Sequence, residues 1–90
     1  MMLSQTVTIV NKLGLHARAA ALLASTAARY GSSIKAGVKD KMVDAKSVMS
    51  LMLLAANQGS QLHLEVEGED QDEAMLAITT LIADRFGEEE

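Results

Sequence analysis

The stretch Gly14-Leu15-His16-Ala17-Arg18-Ala19-Ala20 places a histidine and an arginine where a glycine-led turn meets an alanine-rich run typical of a helix. The first N–H groups of a helix, here those of Ala17, Arg18 and Ala19, have no intrahelical partner and carry the positive end of the helix dipole. An anion is therefore stabilised at this point, and the Arg18 guanidinium adds donors suited to phosphate oxygens.

The same positive helix end disfavours a charged imidazole at His16, and a neutral ring has the lone pair that a nucleophile requires. The pattern predicts a histidine that accepts a phosphoryl group. The stabilisation is moderate, roughly 1–3 kcal/mol in total, which suits a carrier that must release the group again. From position alone, an ordinary residue at a helix start is an equal alternative for His16.

Other chemistries have little support in the sequence. There is no cysteine, no Gly-x-Ser-x-Gly motif and no glycine-rich phosphate loop, and His63 is the second and last histidine. His16 and His63 lack the spacing of a metal site. We therefore expect no metal and no cofactor. The basic residues are scattered without aromatic residues between them, so we expect no nucleic-acid partner.

The composition is that of one small domain spanning residues 1–90, with 49% hydrophobic residues and no cysteine. No apolar run reaches the roughly 20 residues that span a bilayer, and the N-terminus lacks a signal pattern, so we expect a soluble, cytoplasmic protein without membrane insertion. We also expect a monomer. The charge is uneven: residues 1–64 hold seven basic and two acidic residues (+5), and residues 65–90 hold one and ten (−9), which sum to −4.

Hydrophobic periodicity predicts four strands and three helices in the order β-α-β-β-α-β-α. Each strand has one apolar face and each helix one apolar stripe, which favours an α+β open-faced sandwich: a four-stranded antiparallel sheet with three helices on one face. The predicted strands are 5–10, 33–38, 42–45 and 61–67, and the predicted helices are 17–30, 48–56 and a third ending near residue 86.

Local signals at the helix ends give further expectations. Ser47 suits the N-cap of the second helix. Asp70-Gln71-Asp72-Glu73 resembles a capping box for the third, with aspartate in the Ser/Thr position. Gly87 and the three glutamates after it suggest a frayed tail.

Several blocks of the chain resemble the HPr family, the phosphocarriers of the bacterial phosphoenolpyruvate-dependent phosphotransferase system. Residues 14–20 agree with the family pattern G-[LM]-H-A-R-P-A at six of seven positions. Val43-Asp44-Ala45-Lys46-Ser47-Val48-Met49 is similar to the segment around the family's regulatory serine. Asn57-Gln58-Gly59 and Gly68-Glu69-Asp70 are similar to segments flanking the family's last strand.

The resemblance implies that His16 is the phosphoacceptor, through Nδ1, and that Arg18 contacts the phosphoryl group. The unpaired N–H groups at the helix start predict that the backbone of Ala17 and Arg18 binds it as well. The resemblance also implies an Enzyme I-type donor and a IIA-type acceptor as partners. Ser47 matches the residue that a serine kinase phosphorylates in some relatives, although a structural N-cap explains the same residue.

The sequence departs from the family pattern at Ala19, where most relatives have proline. Alanine at that position, the acidic chain and the apolar second helix are more similar to NPr, the branch in the nitrogen-related phosphotransferase system. The sugar-uptake branch is the alternative. A non-phosphorylated regulatory protein-binding module on the same fold is an alternative of a different class.

The second helix is almost entirely apolar, although one helix in a small domain cannot bury all its sides. With Leu51 and Leu54 in the core, its remaining residues must face outward, and such exposed apolar patches are typical of protein-docking surfaces. The predicted partner-binding patch is Ala21, Leu22, Val48, Met49 and Met52.

Overall fold

The computed structural model describes all residues, 1–90. The chain forms four strands and three helices, which lie close to their predicted positions, and a final 3-10 turn where the third helix was predicted to continue. Their bounds are β1 Leu3–Thr8, α1 Ala17–Ala28, β2 Ser33–Val38, β3 Lys41–Asp44, α2 Val48–Leu53, β4 Gln61–Glu67, α3 Gln71–Ala83 and the 3-10 turn Arg85–Gly87.

The four strands form one antiparallel sheet in the order β1-β4-β2-β3. In β4, Val66 lies opposite Leu3 on one side and opposite Ile34 on the other, so the two central strands align their apolar residues. The helices cover this apolar face, which confirms the predicted α+β open-faced sandwich. No helix has the length and the apolar character that crossing a bilayer would require.

Alternation in β4 shows why the sheet has one covered face. Leu62, Leu64 and Val66 are fully buried, whereas His63 and Glu65 between them are partly exposed. Successive residues of a strand point to opposite sides, so this pattern places the core on one side only. On the open side, the Thr6 hydroxyl and Nδ1 of His63 form a hydrogen bond of 2.8 Å across paired strands.

The second helix has the predicted N-cap but is shorter than predicted. The N–H of Ser50 donates to the Ser47 hydroxyl at 3.3 Å, which confirms Ser47 as the cap. The helix ends at Leu53, and Ala55 has a φ of +52°, a left-handed conformation that cannot continue a right-handed helix. Leu51 and Leu54 are buried as predicted.

The capping box predicted for the third helix is wrong. The Asp70 side chain makes no hydrogen bond to its own helix. Its carboxylate instead accepts from the N–H groups of Gly31 and Ser32, at 2.9 and 3.0 Å, and from the Ser32 hydroxyl. The residue therefore joins the start of α3 to the turn after α1, a tertiary contact that outweighs the local capping pattern.

The first strand begins and ends two residues earlier than predicted, because Leu3 and Ser4 pair with Val66 and Glu65 of β4. Ile9 follows the strand and is fully buried. Its N–H donates to the carbonyl of Ser60 at 2.9 Å, so the chain stays bonded to its neighbour for one residue beyond the end of β1.

Candidate functional site

The turn before α1 is fixed against the segment that follows α2. Gly14 has a φ of +68°, and a Cβ placed on it would lie 2.5 Å from the carbonyl oxygen of Ala56. The next N–H, that of Leu15, donates to the same oxygen at 2.8 Å. The Leu15 side chain is buried, so both the backbone and the core hold the chain in place immediately before His16.

His16 is the N-cap residue of α1, but its side chain does not cap the helix. Its backbone is extended, with φ −77° and ψ 179°, and its carbonyl accepts the first intrahelical hydrogen bond from the N–H of Ala20 at 2.8 Å. The imidazole makes no hydrogen bond to the helix, and 29% of the side chain is exposed. The ring is therefore held at the helix start without a capping role.

Donors for an anion surround this position. The N–H groups of Ala17, Arg18 and Ala19 precede the first intrahelical bond and lie at the positive end of the helix dipole. Ala17 and Arg18 are exposed, and the Arg18 guanidinium takes part in no hydrogen bond or ion pair. Ala19 differs because it is fully buried. The arrangement suits an anion bound beside the ring of His16.

The predicted frayed tail is wrong, because the last three residues lie against the site. Oε2 of Glu88 contacts Nε2 of His16, and Oε1 accepts a hydrogen bond of 3.0 Å from the buried amide of Asn11. The N–H of Lys12 donates to the carbonyl of Glu90 at 2.7 Å, and the side chains of these two residues form an ion pair at 3.5 Å. The tail is anchored by side chains and backbone together.

The buried side chain of Phe86 also restrains the tail. Its ring is almost completely buried in the core. Arg85 and Phe86 have φ values of +57° and +54°, so the chain turns sharply after α3. With the ring fixed, Glu88 two residues later cannot drift away from the start of α1. A glycine-glutamate run carries no local signal of this contact, since the partner His16 is 72 positions away in the chain.

The charges at the site are mixed, because the carboxylate of Glu88 lies among the same residues as His16 and Arg18. Hydrogen bonds from Asn11 and then from His16 hold the pKa of Glu88 below its ordinary value of 4.5, with Arg18 adding a smaller effect. Glu88 is therefore ionised at neutral pH and faces the ring on its Nε2 side. An open pocket of about 370 Å³ lies here, lined by Lys12, Leu13, His16, Arg18, Glu88, Glu89 and Glu90.

The structure brings some of the predicted site residues together and separates others. His16, Ala17 and Arg18 share the start of α1, whereas Ser47 caps α2. The structure contains no group of three or more His, Cys, Asp or Glu side chains placed to hold a metal ion. Asn11 and Glu88 are site residues that the sequence reasoning missed.

The predicted partner-binding patch is partly exposed. Met49 and Met52 are 76% and 45% exposed, and Ala21 is exposed as well. Leu22 and Val48 differ from the prediction, because they are half-buried and pack against the core. Leu53, which the prediction omitted, is 68% exposed. Leu53 and Met52 lie on the exposed side of α2, opposite the buried Leu51.

The fold and the sequence both have close counterparts among known proteins. The family model described as "PTS HPr component phosphorylation site" matches residues 3–84. The phosphocarrier protein HPr of Cupriavidus necator is 52% identical over 89 residues, covering 99% of this chain and 100% of that protein. The HPr of Pseudomonas aeruginosa is 51% identical over 85 residues, covering 93% and 94%.

Among solved structures, HPr-C-His from Thermoanaerobacter tengcongensis has a TM-score of 0.94 and 44% identity, covering 98% of this chain and 99% of that one. The fold is thus that of the small α+β phosphocarriers. The chain belongs to the HPr family of the phosphotransferase system.

Proposed function

We propose that this chain is a histidine phosphocarrier in which His16 accepts a phosphoryl group from an Enzyme I-type donor and passes it to a IIA-type protein. The observation that carries the proposal is the state of the His16 side chain. It stands at the N-cap of α1, forms no capping bond and is partly exposed beside free helical N–H groups. A structural N-cap would use its side chain to bond the helix, and this one does not.

The chemistry follows from the ring and its surroundings. Nε2 of His16 is engaged by Glu88, so Nδ1 is the nitrogen without a partner. Its lone pair attacks phosphorus, the bond between phosphorus and the donor breaks, and that electron pair leaves with the donor. The phosphoryl oxygens then meet the N–H groups of Ala17 and Arg18 and the Arg18 guanidinium. Because these donors lie at the surface, the group remains available to the next protein.

The partner surface of the carrier is the exposed apolar face of α2 with the adjoining part of α1. Met49, Met52 and Leu53 are its exposed members on α2, Ala21 is exposed on α1, and Leu22 and Val48 are half-buried. Unbranched methionine side chains adapt to differently shaped partners, as a protein with one donor and one acceptor requires. The α1 and α2 helices pack against each other, and the carbonyl of Ala56, shortly after α2, accepts from the N–H of Leu15, shortly before α1, which supports a surface shared by α2 and the start of α1.

We further propose that the chain acts as a monomer in the nitrogen-related branch, the NPr branch. The support is Ala19 in place of the family proline, the net charge of −4 and the apolar second helix. The sugar-uptake branch is the alternative. A donor from each branch, offered at equal concentration, separates the two: faster phosphorylation by the nitrogen-system donor is expected, and faster phosphorylation by the sugar-system donor would reverse the assignment.

The test of the phosphocarrier function is phosphorylation by phosphoenolpyruvate and an Enzyme I-type donor. The wild type should acquire an acid-labile, alkali-stable phosphoryl group, and His16→Ala should acquire none. His63→Ala is the matched control, because it removes the second histidine, which lies on the sheet, and should be labelled normally. No label with a donor from either branch would favour a non-phosphorylated binding module instead.

A further inference from the structure

We propose that Glu88 is a positioning residue for phosphoryl transfer: its carboxylate holds the Nε2 side of the His16 ring, so that the ring presents Nδ1 as the nucleophile. The inference rests on the proposed phosphocarrier function and assigns a role to the last residues of the chain. Glu88 does not reach the helix N–H groups where the phosphoryl group would bind. It acts through His16.

The contact between Glu88 and His16 is enclosed rather than a loose surface pair. The Glu88 side chain is only 13% exposed and that of His16 is 29% exposed. Exposed ion pairs are weak because water competes and both side chains lose freedom. Here both side chains are already restrained, and a carboxylate with little access to water interacts more strongly with a neighbouring N–H.

Two independent anchors hold the carboxylate in place. Asn11 is fully buried, and its amide nitrogen donates to the carbonyl of Gly14 at 2.8 Å and to Oε1 of Glu88 at 3.0 Å. The bond to Gly14 fixes the amide relative to the turn before His16. Since Oε1 is taken, Oε2 is the oxygen that faces the ring.

The second anchor is the buried ring of Phe86, two residues before Glu88. The consecutive positive φ values at Arg85 and Phe86 are uncommon for residues other than glycine, and such conformations persist only where the surroundings impose them. The turn directs the tail back across the start of α1. The position of the Glu88 carboxylate is thus fixed by the backbone of the fold and does not depend on a flexible, exposed side chain.

The partner fixes which ring nitrogen carries a proton. An ionised carboxylate only accepts hydrogen bonds, so the atom facing it must be a donor, Nε2–H. In the neutral ring the lone pair is then on Nδ1. When Nδ1 bonds to phosphorus and the donor departs with the electron pair of the broken bond, the ring carries a positive charge with its proton still on Nε2. Glu88 stabilises that charge, and no further proton moves.

Glu89 provides a matched control for the charge of Glu88. Both line the pocket at His16, together with the charged side chains of Lys12, Arg18 and Glu90. Glu89 makes no hydrogen bond to the ring or to Asn11, whereas Glu88 bonds to both. An effect of overall negative charge would therefore appear in both variants, and a positioning effect only at Glu88.

The experiment compares phosphoryl acceptance by the wild type, Glu88→Ala, Glu88→Gln and Glu89→Gln over a range of carrier concentrations. For Glu88→Ala we expect a maximal rate of phosphorylation roughly 10- to 100-fold lower, with an unchanged KM. Losses of this size are typical when a group that orients a functional histidine by a hydrogen bond is removed. Glu88→Gln keeps the shape and an acceptor oxygen but not the charge, so its rate should be intermediate. Glu89→Gln should match the wild type.

The second readout does not depend on activity. In the unphosphorylated wild type, ¹⁵N spectra of the His16 ring should show the Nε2–H tautomer, with a proton protected from exchange with water. Glu88→Ala should lose this protection and Glu89→Gln should keep it. A wild type that acquires no phosphoryl group would overturn the phosphocarrier function and the Glu88 role together. A labelled wild type with a Glu88→Ala rate that is unchanged, raised or equal to that of Glu89→Gln would overturn the Glu88 role alone.

Discussion

The buried amide of Asn11 donates a hydrogen bond of 3.0 Å to the carboxylate of Glu88, 77 positions later in the chain. This bond ties the turn before α1 to the last residues of the sequence. Because the second oxygen of Glu88 contacts His16, the three side chains form a line from the interior to the surface. Removing the interior member should therefore affect both stability and the site.

Asn11→Asp should lower the free energy of unfolding by about 3 kcal/mol or more, because it replaces a buried donor by an acceptor beside a carbonyl and a carboxylate. Urea denaturation measures the loss. The matched control is Asn57→Asp, a change at an exposed asparagine, which should stay within about 0.5 kcal/mol of the wild type. Equal losses in the two variants would contradict the role given to Asn11.

Gly14→Ala should destabilise the protein for two separate reasons, the left-handed backbone and the carbonyl of Ala56 that a Cβ would meet. Gly59→Ala isolates the first reason, since Gly59 has a φ of +92° and open space around it. We expect about 1–2 kcal/mol for Gly59→Ala and about 2–4 kcal/mol for Gly14→Ala, measured by urea denaturation. If Gly59→Ala lost more free energy of unfolding than Gly14→Ala, the close approach of Ala56 to Gly14 would not contribute to stability.

The Asp70 contact should make stability depend on pH in the acidic range. The Ser32 hydroxyl and then the Gly31 N–H hold the pKa of Asp70 below its ordinary value of 3.8. The unfolded chain thus binds this proton more readily than the folded one, so the contribution is complete above pH 3.8 and is lost as the pH falls through the lower folded pKa.

The measurement is the free energy of unfolding of the wild type and of Asp70→Asn at a series of pH values. The difference between them should be constant near neutrality and shrink toward zero below pH 3.8. Asp40→Asn, a change at an exposed aspartate in the turn between β2 and β3, should give no such difference. A gap between wild type and Asp70→Asn that persists at the lowest pH would refute this account of Asp70.

Met52→Lys should impair phosphoryl transfer without unfolding the protein. Met52 is 45% exposed, so the lysine can reach water, but its charge would enter the apolar partner surface. We expect the efficiency of phosphoryl transfer to fall by about tenfold or more. The free energy of unfolding should stay within about 0.5 kcal/mol of the wild type. Leu76→Lys on α3, at a position 68% exposed, is the control and should transfer normally. Normal transfer by Met52→Lys would rule out α2 as the docking face.

The parts of this structure that depend on neighbouring residues could be predicted from the sequence. Alternation predicted β2 and β4 with the correct bounds, and the apolar spacing of α2 placed Leu51 and Leu54 in the core. His16 was identifiable because a glycine turn, a histidine and a helix-forming run are contiguous in the chain. A helix start assembles its own unpaired N–H groups, so no distant residue is needed to foresee that environment.

The features that were not predicted depend on residues far apart in the chain. Asp70 matched a local capping pattern, but its carboxylate accepts hydrogen bonds from the N–H groups of Gly31 and Ser32 in the turn after α1. Glu88 lies in a polar run that is typical of a frayed end, but the bond from Asn11 and the buried ring of Phe86 hold it in place. No periodicity or spacing rule brings either residue to its partner, because the fold itself creates both contacts.

The most direct test of the phosphocarrier account is to phosphorylate the wild type with phosphoenolpyruvate and an Enzyme I-type donor, digest it under alkaline conditions and locate the phosphoryl group by mass spectrometry. We predict a single group, on Nδ1 of His16, which ³¹P and ¹⁵N NMR of the intact protein would distinguish from Nε2. A phosphoryl group on His63 or on Ser47 with none on His16 would contradict it.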